Sequence, residues 1–383
     1  MAVLLILGNG FDLHCGLKTH FSDFLDEELK KAENILLSNH LAEYIKTFAS
    51  FISYSGPEYF SSEDFSSSIS LWEVFFYALK FCVESKDDHG FSYPADWKDV
   101  EKAIRVSLMG EKGALVNWRR VFMLLYKRNK NIMFLDNPPS FDGAVEWILA
   151  DFIDQFSRFP KNAFVSGSTE EAENIFYVFL FGELKRFEKD FGRYVERQVA
   201  ENPKYENEAC LFANRLCEGS DFVVESFNYT APNLHCVSFR NVHGTTTNPV
   251  IGIDVANIAP KDPRYRFTKA SRCLSLAIED TRLTKPDYNT ITDIVIYGHS
   301  LNEQDFSYFF NVLETKRIQD PGNICGISFA YSVYDGTTKE REQQKLHDSV
   351  AGLLNSYDLW TNHSLTTVES LYLQKKFHFP EVD

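Results

Sequence analysis

The stretch that most constrains the fold is the apolar run Ala2–Leu7 together with the turn that follows it. Six consecutive apolar residues, closed by Gly-Asn-Gly at 8–10, are typical of a short strand buried on both faces, as in a parallel sheet. Two glycines let the backbone turn sharply, and a helix that begins there points amide N–H groups outward, which suits a phosphate. The spacing is not that of the dinucleotide fingerprint, because Leu13 stands where that motif needs its third glycine. The residues alone fit a nucleotide-binding turn and a ligand-free turn about equally well.

A long helical block follows this strand. Apolar residues recur at helical spacing through most of the segment between Thr19 and Ser220. The pattern predicts helices over 21–34, 62–85, 95–108, 114–128, 142–158, 169–200 and 204–218.

From residue 221 onward the sequence changes to short runs rich in β-branched and aromatic residues. These runs predict strands over 221–227, 236–242, 249–253, 292–297 and 324–332, with helices over 302–316, 338–355 and 364–376. Such an order is typical of an α/β fold, and we expect a Rossmann-like, doubly wound parallel sheet with a large all-helical insertion after the first strand. We place the nucleotide-binding domain at 1–30 and 219–383, and the insertion at 31–218.

The net charge and the cysteines argue against several classes of protein. The 383 residues carry a net charge of −15, and an acidic surface does not favour nucleic-acid backbones or anionic membranes. The seven cysteines form no Cys-x-x-Cys pair, so we expect free thiols in the reducing cytoplasm and no metal. No segment is apolar for long enough to span a membrane, and the apolar N-terminal run is too short for a signal peptide.

Polar residues follow three of the later predicted strands directly, at the edge where open α/β sheets build their sites. They lie at 228–230, 243–245 and 298–302. Asn228 can donate and accept hydrogen bonds, and His243 can move a proton near neutral pH. Gly298, Ser300 and Asn302 offer backbone amides and polar side chains to a phosphate or ribose. Each turn alone is better explained as a structural turn, but four of them at one sheet edge favour a site.

The chain resembles the AbiH family of phage abortive-infection proteins. The motifs that carry the resemblance are spread over nearly the whole chain: Gly8–Asp12 with Gly16, Leu17 and Thr19; Trp97, Asp99 and Glu101; Phe187-Glu188; Phe227–Thr230; His243-Gly244; Gly252–Asp254; and Gly298–Leu301 with Asp305.

AbiH-like proteins in turn look like distant relatives of sirtuins, which bind NAD and open its nicotinamide–ribose bond. The sirtuin order of motifs is matched by the glycine turn at 8–10, Gly16–Lys18, Asn228, His243-Gly244 and the turn at 298–300. The resemblance implies that Asn228 orients the ribose and a water, and that His243 is the general base. It also implies a set of nucleotide-binding residues: Gly8, Asn9, Gly10, Phe11, Asp12, Gly16, Thr19, Thr230, Gly298, Ser300 and Asn302.

Two positions depart from the sirtuin pattern. Asp12 stands in place of a small hydroxyl residue, and its charge would repel a diphosphate unless it faces a ribose. Thr230 stands in place of an aspartate that helps to hold nicotinamide. The zinc-binding cysteines of sirtuin deacetylases are also missing, which argues against protein deacetylation.

These observations lead to a hypothesis with two alternatives. We expect a cytoplasmic anti-phage effector that hydrolyses NAD, acts as a homo-oligomer, and responds to a phage-derived trigger. The first alternative is a sensor that binds NAD or an ADP-ribose-type nucleotide without cleaving it and acts on a partner. The second is a metal-dependent, nuclease-like effector that uses carboxylates such as Asp12, Asp99 and Glu101.

Overall fold

A computed structural model shows an α/β protein built on a six-stranded parallel sheet. The structure describes residues 2–38, 69–84, 97–111, 114, 116–130, 144–156, 159–164, 167–254, 258–279, 288–318, 320, 325–334, 336–361 and 367–382. Within these residues, no helix is both long and apolar enough to cross a bilayer.

The chain divides into two compact units. Unit 1 comprises Met1–Thr19, Phe191–Ala256 and Lys269–Asp383, and unit 2 comprises His20–Asp190 and Asn257–Thr268. These bounds differ from the division that we predicted at 30/31 and 218/219. One reason is the helix Tyr205–Leu216, which we had assigned to the insertion; its Tyr205 and Phe212 pack with β1 residues in one core of unit 1.

Unit 1 contains all six strands of the main sheet. In chain order they are β1 (Ala2–Leu7), β2 (Phe222–Ser226), β3 (Ser238–Asn241), β6 (Ile291–Tyr297), β7 (Gly326–Ala330) and β8 (Phe377–His378). Their spatial order is β3-β2-β1-β6-β7-β8. This is the strand order of doubly wound sheets, in which the order reverses beside the first strand.

The buried side chains of β1 pack on both faces of the sheet. Leu4 and Ile6 pack in one core, and Val3, Leu5 and Leu7 pack in the other. A continuous apolar run is what a central parallel strand requires, because helices cover both of its faces.

The helices of unit 1 cover these two cores. The first core includes residues of α10 (Phe306–Thr315), α11 (Lys339–Thr361) and α12 (Thr367–Leu373). The second includes residues of α1 (Asn9–His14) and α8 (Tyr205–Leu216). One helix of unit 1, α9 (Lys269–Glu279), lies in a segment where we predicted neither helix nor strand. The predicted strand at 249–253 is wrong over most of its length: β4 (Gly244–Thr245) and β5 (Asn248–Pro249) form a short antiparallel pair there.

The described part of unit 2 is helical. It holds α2 (Phe21–Ser38), α3 (Leu71–Glu84), α4 (Trp97–Met109), α5 (Trp118–Asn129), α6 (Ala144–Phe156) and the first two thirds of α7 (Thr169–Glu201). These confirm the predicted helices over the described residues. Positions 62–68, 85, 95–96, 115, 142–143 and 157–158 of the predictions lie outside them. Ser70 and Glu73 form a reciprocal capping box at the start of α3, and the Trp72 and Trp118 rings meet edge to face with centroids 5.2 Å apart.

The glycine turn packs against the turn after β6, backbone against backbone. A Cβ atom at Gly10 would lie 2.6 Å from the Gly298 Cα, and one at Gly298 would lie 2.5 Å from the Phe11 nitrogen. Gly298 also has a φ of +69°, which side-chain-bearing residues rarely adopt. These glycines are therefore needed for the two turns to touch.

We predict that Gly298→Ala destabilises the protein by about 2–5 kcal/mol, because overpacking adds to the positive-φ strain. The measurement is urea unfolding. Gly219→Ala is the matched control, since Gly219 has a φ of +73° but nothing within 4 Å of the added Cβ. It should lose only about 1–2 kcal/mol, and equal losses in the two variants would show that the close contact is unimportant.

Candidate active site at the carboxyl edge of the sheet

The carboxyl ends of the four neighbouring strands β3, β2, β1 and β6 lie level with one another. Leu7 pairs with both Ser226 and Tyr297, and Ser226 pairs with Asn241. Asn228 and His243 each lie two residues beyond one of these paired positions. The strand register therefore brings the four polar turns to one edge of the sheet.

The amides of the glycine turn are largely used inside the protein. The Gly8 N–H donates to the Tyr297 carbonyl at 2.9 Å, the Gly10 N–H to the Gly298 carbonyl at 2.8 Å, and the Phe11 N–H to the Gly8 carbonyl at 2.9 Å. We expected these groups to hold a diphosphate. In this structure they join the first turn to β6 and close the start of α1, which has only six residues.

Asp12 is directed into the protein and forms the first polar cluster of the site. Its carboxyl group is buried and accepts hydrogen bonds from the Tyr205 hydroxyl at 2.8 Å and the Thr230 hydroxyl at 2.9 Å. The side chain of Asn228 also hydrogen-bonds this carboxyl. Burial raises the pKa of Asp12 to about 6, although these three hydrogen bonds act to lower it.

Asn228 is held at both its backbone and its side chain. Its N–H donates to the Ser226 hydroxyl at 3.1 Å, and its carbonyl accepts from the Asn241 side-chain amide at 2.7 Å. Asn241 donates as well to the Thr230 carbonyl, at 2.7 Å. The segment 228–230 is therefore fixed to the end of β3, and the buried Asn228 side chain has a defined position.

His243 belongs to a second cluster, which is centred on Asp305. The His243 Nε2 lies 3.1 Å from the Asp305 Oδ1, and the His299 Nε2 lies 3.5 Å from the Oδ2 of the same carboxylate. The Phe227 ring meets each of the two imidazoles edge to face. The two histidines, which follow β3 and β6, thus share one acceptor.

Lys269 completes this second cluster. Its Nζ donates to the Asp305 Oδ1 at 2.7 Å. Burial acts to raise the pKa of Asp305, but the charge of Lys269 and the hydrogen bonds from His243 and His299 outweigh it and hold that pKa well below its usual range. Burial, together with the charge of Lys269, lowers the pKa of His243. His243 is therefore a neutral imidazole near pH 7 that is hydrogen-bonded to an ionised carboxylate.

The two histidines differ in the nitrogen that remains available. The His299 Nδ1 accepts the Leu301 N–H at 2.9 Å, so the neutral ring carries its proton on Nε2 and directs it to Asp305. The His243 Nε2 is the nitrogen that faces Asp305, which leaves the lone pair of the neutral ring on Nδ1. Of the two, His243 is the one suited to accept a proton.

The other predicted nucleotide-binding residues have mixed surroundings. The Asn9 side-chain amide donates to the Thr19 carbonyl at 2.9 Å, and Phe11 lies in the core beneath the first turn. Gly16 lies two residues after the end of α1 and has a φ of +86°. Ser300 is exposed at the sheet edge, while the Asn302 carbonyl accepts the Asp305 N–H.

Four residues of these clusters were missing from the predicted site: Tyr205, Lys269, His299 and Asp305. His299 and Asp305 were present in the motifs that carry the family resemblance, so a signal for them existed. Lys269 and Tyr205 had none, because their partners in the site are more than 30 residues away in sequence.

The structure does not bring together Asp12, Asp99 and Glu101, the carboxylates named for the metal-dependent effector, as one described group. Asp12 belongs to unit 1 and Glu101 to unit 2, where Glu101 is buried on α4; the Asp99 side chain lies outside the description. Among the described residues, no three or more His, Cys, Asp or Glu side chains are grouped to hold a metal ion.

A comparison with protein families identifies the chain. The model of the family described as bacteriophage abortive infection AbiH matches residues 4–321. The chain belongs to the AbiH family. Both clusters of this AbiH protein lie within the matched region. No curated protein and no solved structure shows significant similarity to it.

We predict that ionisation of Asp12 makes the AbiH protein less stable as the pH rises from about 4 to 6. Because the folded pKa is raised from 3.8 to about 6, the folded state holds this proton more tightly than the unfolded state does. The stability present below pH 4 is then lost as the pH passes 6, by about 3 kcal/mol at one pKa unit per 1.4 kcal/mol. The measurement compares urea unfolding of wild type and Asp12→Asn across this range. A difference between the two that does not vary with pH would contradict the raised pKa.

We also predict strong coupling between Lys269 and Asp305. Asp305→Asn removes the carboxylate to which the buried ammonium donates, and Lys269→Met removes the main positive charge beside Asp305, so each should cost about 3–5 kcal/mol. The double variant should lose much less than the two losses combined. Thermal and urea unfolding of the four proteins measure this, and additive losses would rule out the coupling.

Proposed function

We propose that this AbiH protein protects bacteria against phage by hydrolysing NAD at the bond between nicotinamide and ribose. The observation that carries the proposal is the His243–Asp305 pair. A neutral histidine, oriented by an ionised carboxylate at 3.1 Å, follows a strand whose neighbour carries Asn228 at the same level. A general base with an orienting acid is the arrangement that activates a water molecule.

The fold supports a nucleotide as the ligand. In doubly wound sheets, ligands bind outside the carboxyl ends of the strands, near the point where the strand order reverses. Here the order reverses between β1 and β6, and the polar turns of β1, β2, β3 and β6 all lie at that edge. The AbiH family description supports a role in abortive infection.

The proposed reaction breaks the bond from ribose C1′ to the pyridinium nitrogen of NAD. The electron pair of that bond stays with the nitrogen, so neutral nicotinamide leaves, and the ribose passes through an oxocarbenium-like state. A water oxygen then bonds to C1′ while one of its protons passes to the His243 Nδ1. Asp305 stabilises the resulting imidazolium, because it already hydrogen-bonds Nε2.

Asn228 has the role of orienting the ribose. Its side chain hydrogen-bonds Asp12, and an ionised carboxylate only accepts hydrogen bonds, so the amide NH₂ is the group that faces Asp12. The amide oxygen is then left for a ribose hydroxyl or the attacking water. Asp12 therefore acts through Asn228 and does not need to approach the diphosphate.

One observation favours the alternative of a sensor that binds a nucleotide without cleaving it. Thr230 donates to Asp12 at 2.9 Å, so the two residues that depart from the sirtuin pattern satisfy each other within the protein. Because Asp12 and Thr230 are hydrogen-bonded to each other, the site can retain the fold of a nucleotide-binding site without catalysing the reaction. Binding of NAD that is returned unchanged would support this second function.

We predict that purified protein releases nicotinamide from NAD, and that His243→Ala lowers this rate by about 10²–10⁴-fold, the usual contribution of a general base. Asn228→Ala should lower it as well, and both variants should lose phage protection. The measurement is chromatography of the products, followed by plaque counts. His347→Ala is the matched control, because His347 is exposed on α11 and lies far along the chain from both clusters.

The outcomes separate the candidate functions. Release of nicotinamide by wild type and by His347→Ala, but not by His243→Ala, would support the hydrolase. If both site variants keep full phage protection, the proposed site is wrong. If NAD binds but returns unchanged even with phage lysate added, the sensor is the better description.

A further inference from the structure

Lys269 and His243 contact the same oxygen of the Asp305 carboxylate. The Lys269 Nζ donates to the Asp305 Oδ1 at 2.7 Å, and the His243 Nε2 lies 3.1 Å from that atom. All three side chains are buried, so water and salt screen their charges only weakly. The proposed reaction uses the histidine and the carboxylate and leaves the lysine without a role.

The segment 252–254, one of the motifs that carry the family resemblance, fixes the position of the lysine. The Lys269 backbone N–H donates to the Ile253 carbonyl at 3.0 Å. The Asp254 N–H donates to the Gln304 Oε1, also at 3.0 Å, and Gln304 directly precedes the shared carboxylate in the sequence. The segment therefore joins the start of α9 to the residue beside the carboxylate, and so brings the ammonium and the carboxylate together.

The charge of Lys269 opposes the effect of Asp305 on His243. A carboxylate that hydrogen-bonds an imidazole favours the protonated ring and raises its pKa. At His243 burial is the largest effect and the charge of Lys269 is the next; both lower the pKa, and together they outweigh Asp305. His299, from the turn after β6, completes the titratable and charged groups that face His243 among the described residues, and it too acts to lower the pKa.

Both oxygens of Asp305 already accept hydrogen bonds. Oδ1 accepts from Lys269 and from the His243 Nε2, and Oδ2 accepts from the His299 Nε2, 3.5 Å away. The His299 ring cannot reverse this role, because its Nδ1 accepts the Leu301 N–H. A proton that enters the cluster is therefore placed on the His243 Nδ1, where the lone pair of the neutral ring lies.

We propose that Lys269 is a positioning residue that keeps His243 neutral, and so able to accept a proton, by sharing one oxygen of Asp305 with it. The catalytic part of this inference rests on the proposed function, whereas the effect on the imidazole does not. Without the lysine, the unopposed carboxylate favours an imidazolium, which cannot act as a base. With the lysine in place, Asp305 orients the ring without holding a proton on it.

The first test follows the His243 imidazole of the full-length protein by NMR as the pH changes, with the signal assigned by its loss in His243→Ala. In wild type the ring should titrate below the ordinary value of 6.5. In Lys269→Met the titration should move to higher pH, and Lys269→Arg, which keeps the charge, should reverse part of that move. Lys345→Met, on the exposed part of α11, is the matched control.

The second test measures the release of nicotinamide from NAD as a function of pH. Because protonation removes the base, kcat of Lys269→Met should fall at least about tenfold at about pH 6 but less than about threefold at about pH 8.5. The KM for NAD should change less than about twofold, since the lysine acts through His243 and does not touch the substrate. A loss of activity that is equal at both pH values would indicate a merely structural role.

The two tests separate this inference from the hydrolase. If wild-type His243 titrates above 6.5, or if Lys269→Met leaves its titration unchanged, the role of Lys269 is wrong. If the titration moves as expected but wild type releases no nicotinamide, the effect of the lysine is supported and the hydrolase falls. If wild type and Lys269→Met release nicotinamide with the same pH profile, the hydrolase stands without the lysine. Should Lys269→Met fail to fold, Lys269→Gln, which keeps an N–H donor but no charge, takes its place.

Discussion

The contact between the turn after β1 and the turn after β6 is the constraint on which the site depends. Gly10 and Gly298 allow two backbones to approach within a distance that any side chain would prevent. That approach aligns the ends of β1 and β6, and strand pairing transmits the alignment to β2 and β3. Asn228, His243 and His299 then occupy one edge, where Asp12 and Asp305 can organise them.

The sheet could be predicted from the sequence because its strands are short, apolar and closed by polar turns, as Ala2–Leu7 shows. The positions of Asn228 and His243 followed from being placed just after such strands. The helix α9 was not predicted, and hydrophobic periodicity alone would also have oriented it wrongly. It would have placed Leu274 on the buried side and Lys269 and Arg272 in solvent, whereas Leu274 is exposed and the two cations are buried.

The role of the glycines in the first turn could not be predicted from the sequence either. A glycine that lets a phosphate approach and a glycine that lets another backbone approach look the same in a pattern. At Gly8 and Gly10 the structure shows the second use, because their N–H groups donate to Tyr297 and Gly298. Asp305 stood in a motif of the family resemblance, but its role was not predicted, because its partners Lys269 and His243 meet it only in the folded chain.

The order of strands has a consequence for how this protein is made. Val3 pairs with Phe222 on one side and with Asp293 on the other, so β1 leaves the ribosome long before either partner exists. At ordinary synthesis rates the wait before β2 is complete is roughly 10–45 s. Throughout that time the apolar strand has no sheet to join, and the Asn228 and His243 turns have not been synthesised. Until Asp305 has been added, the growing chain therefore cannot contain the His243–Asp305 pair.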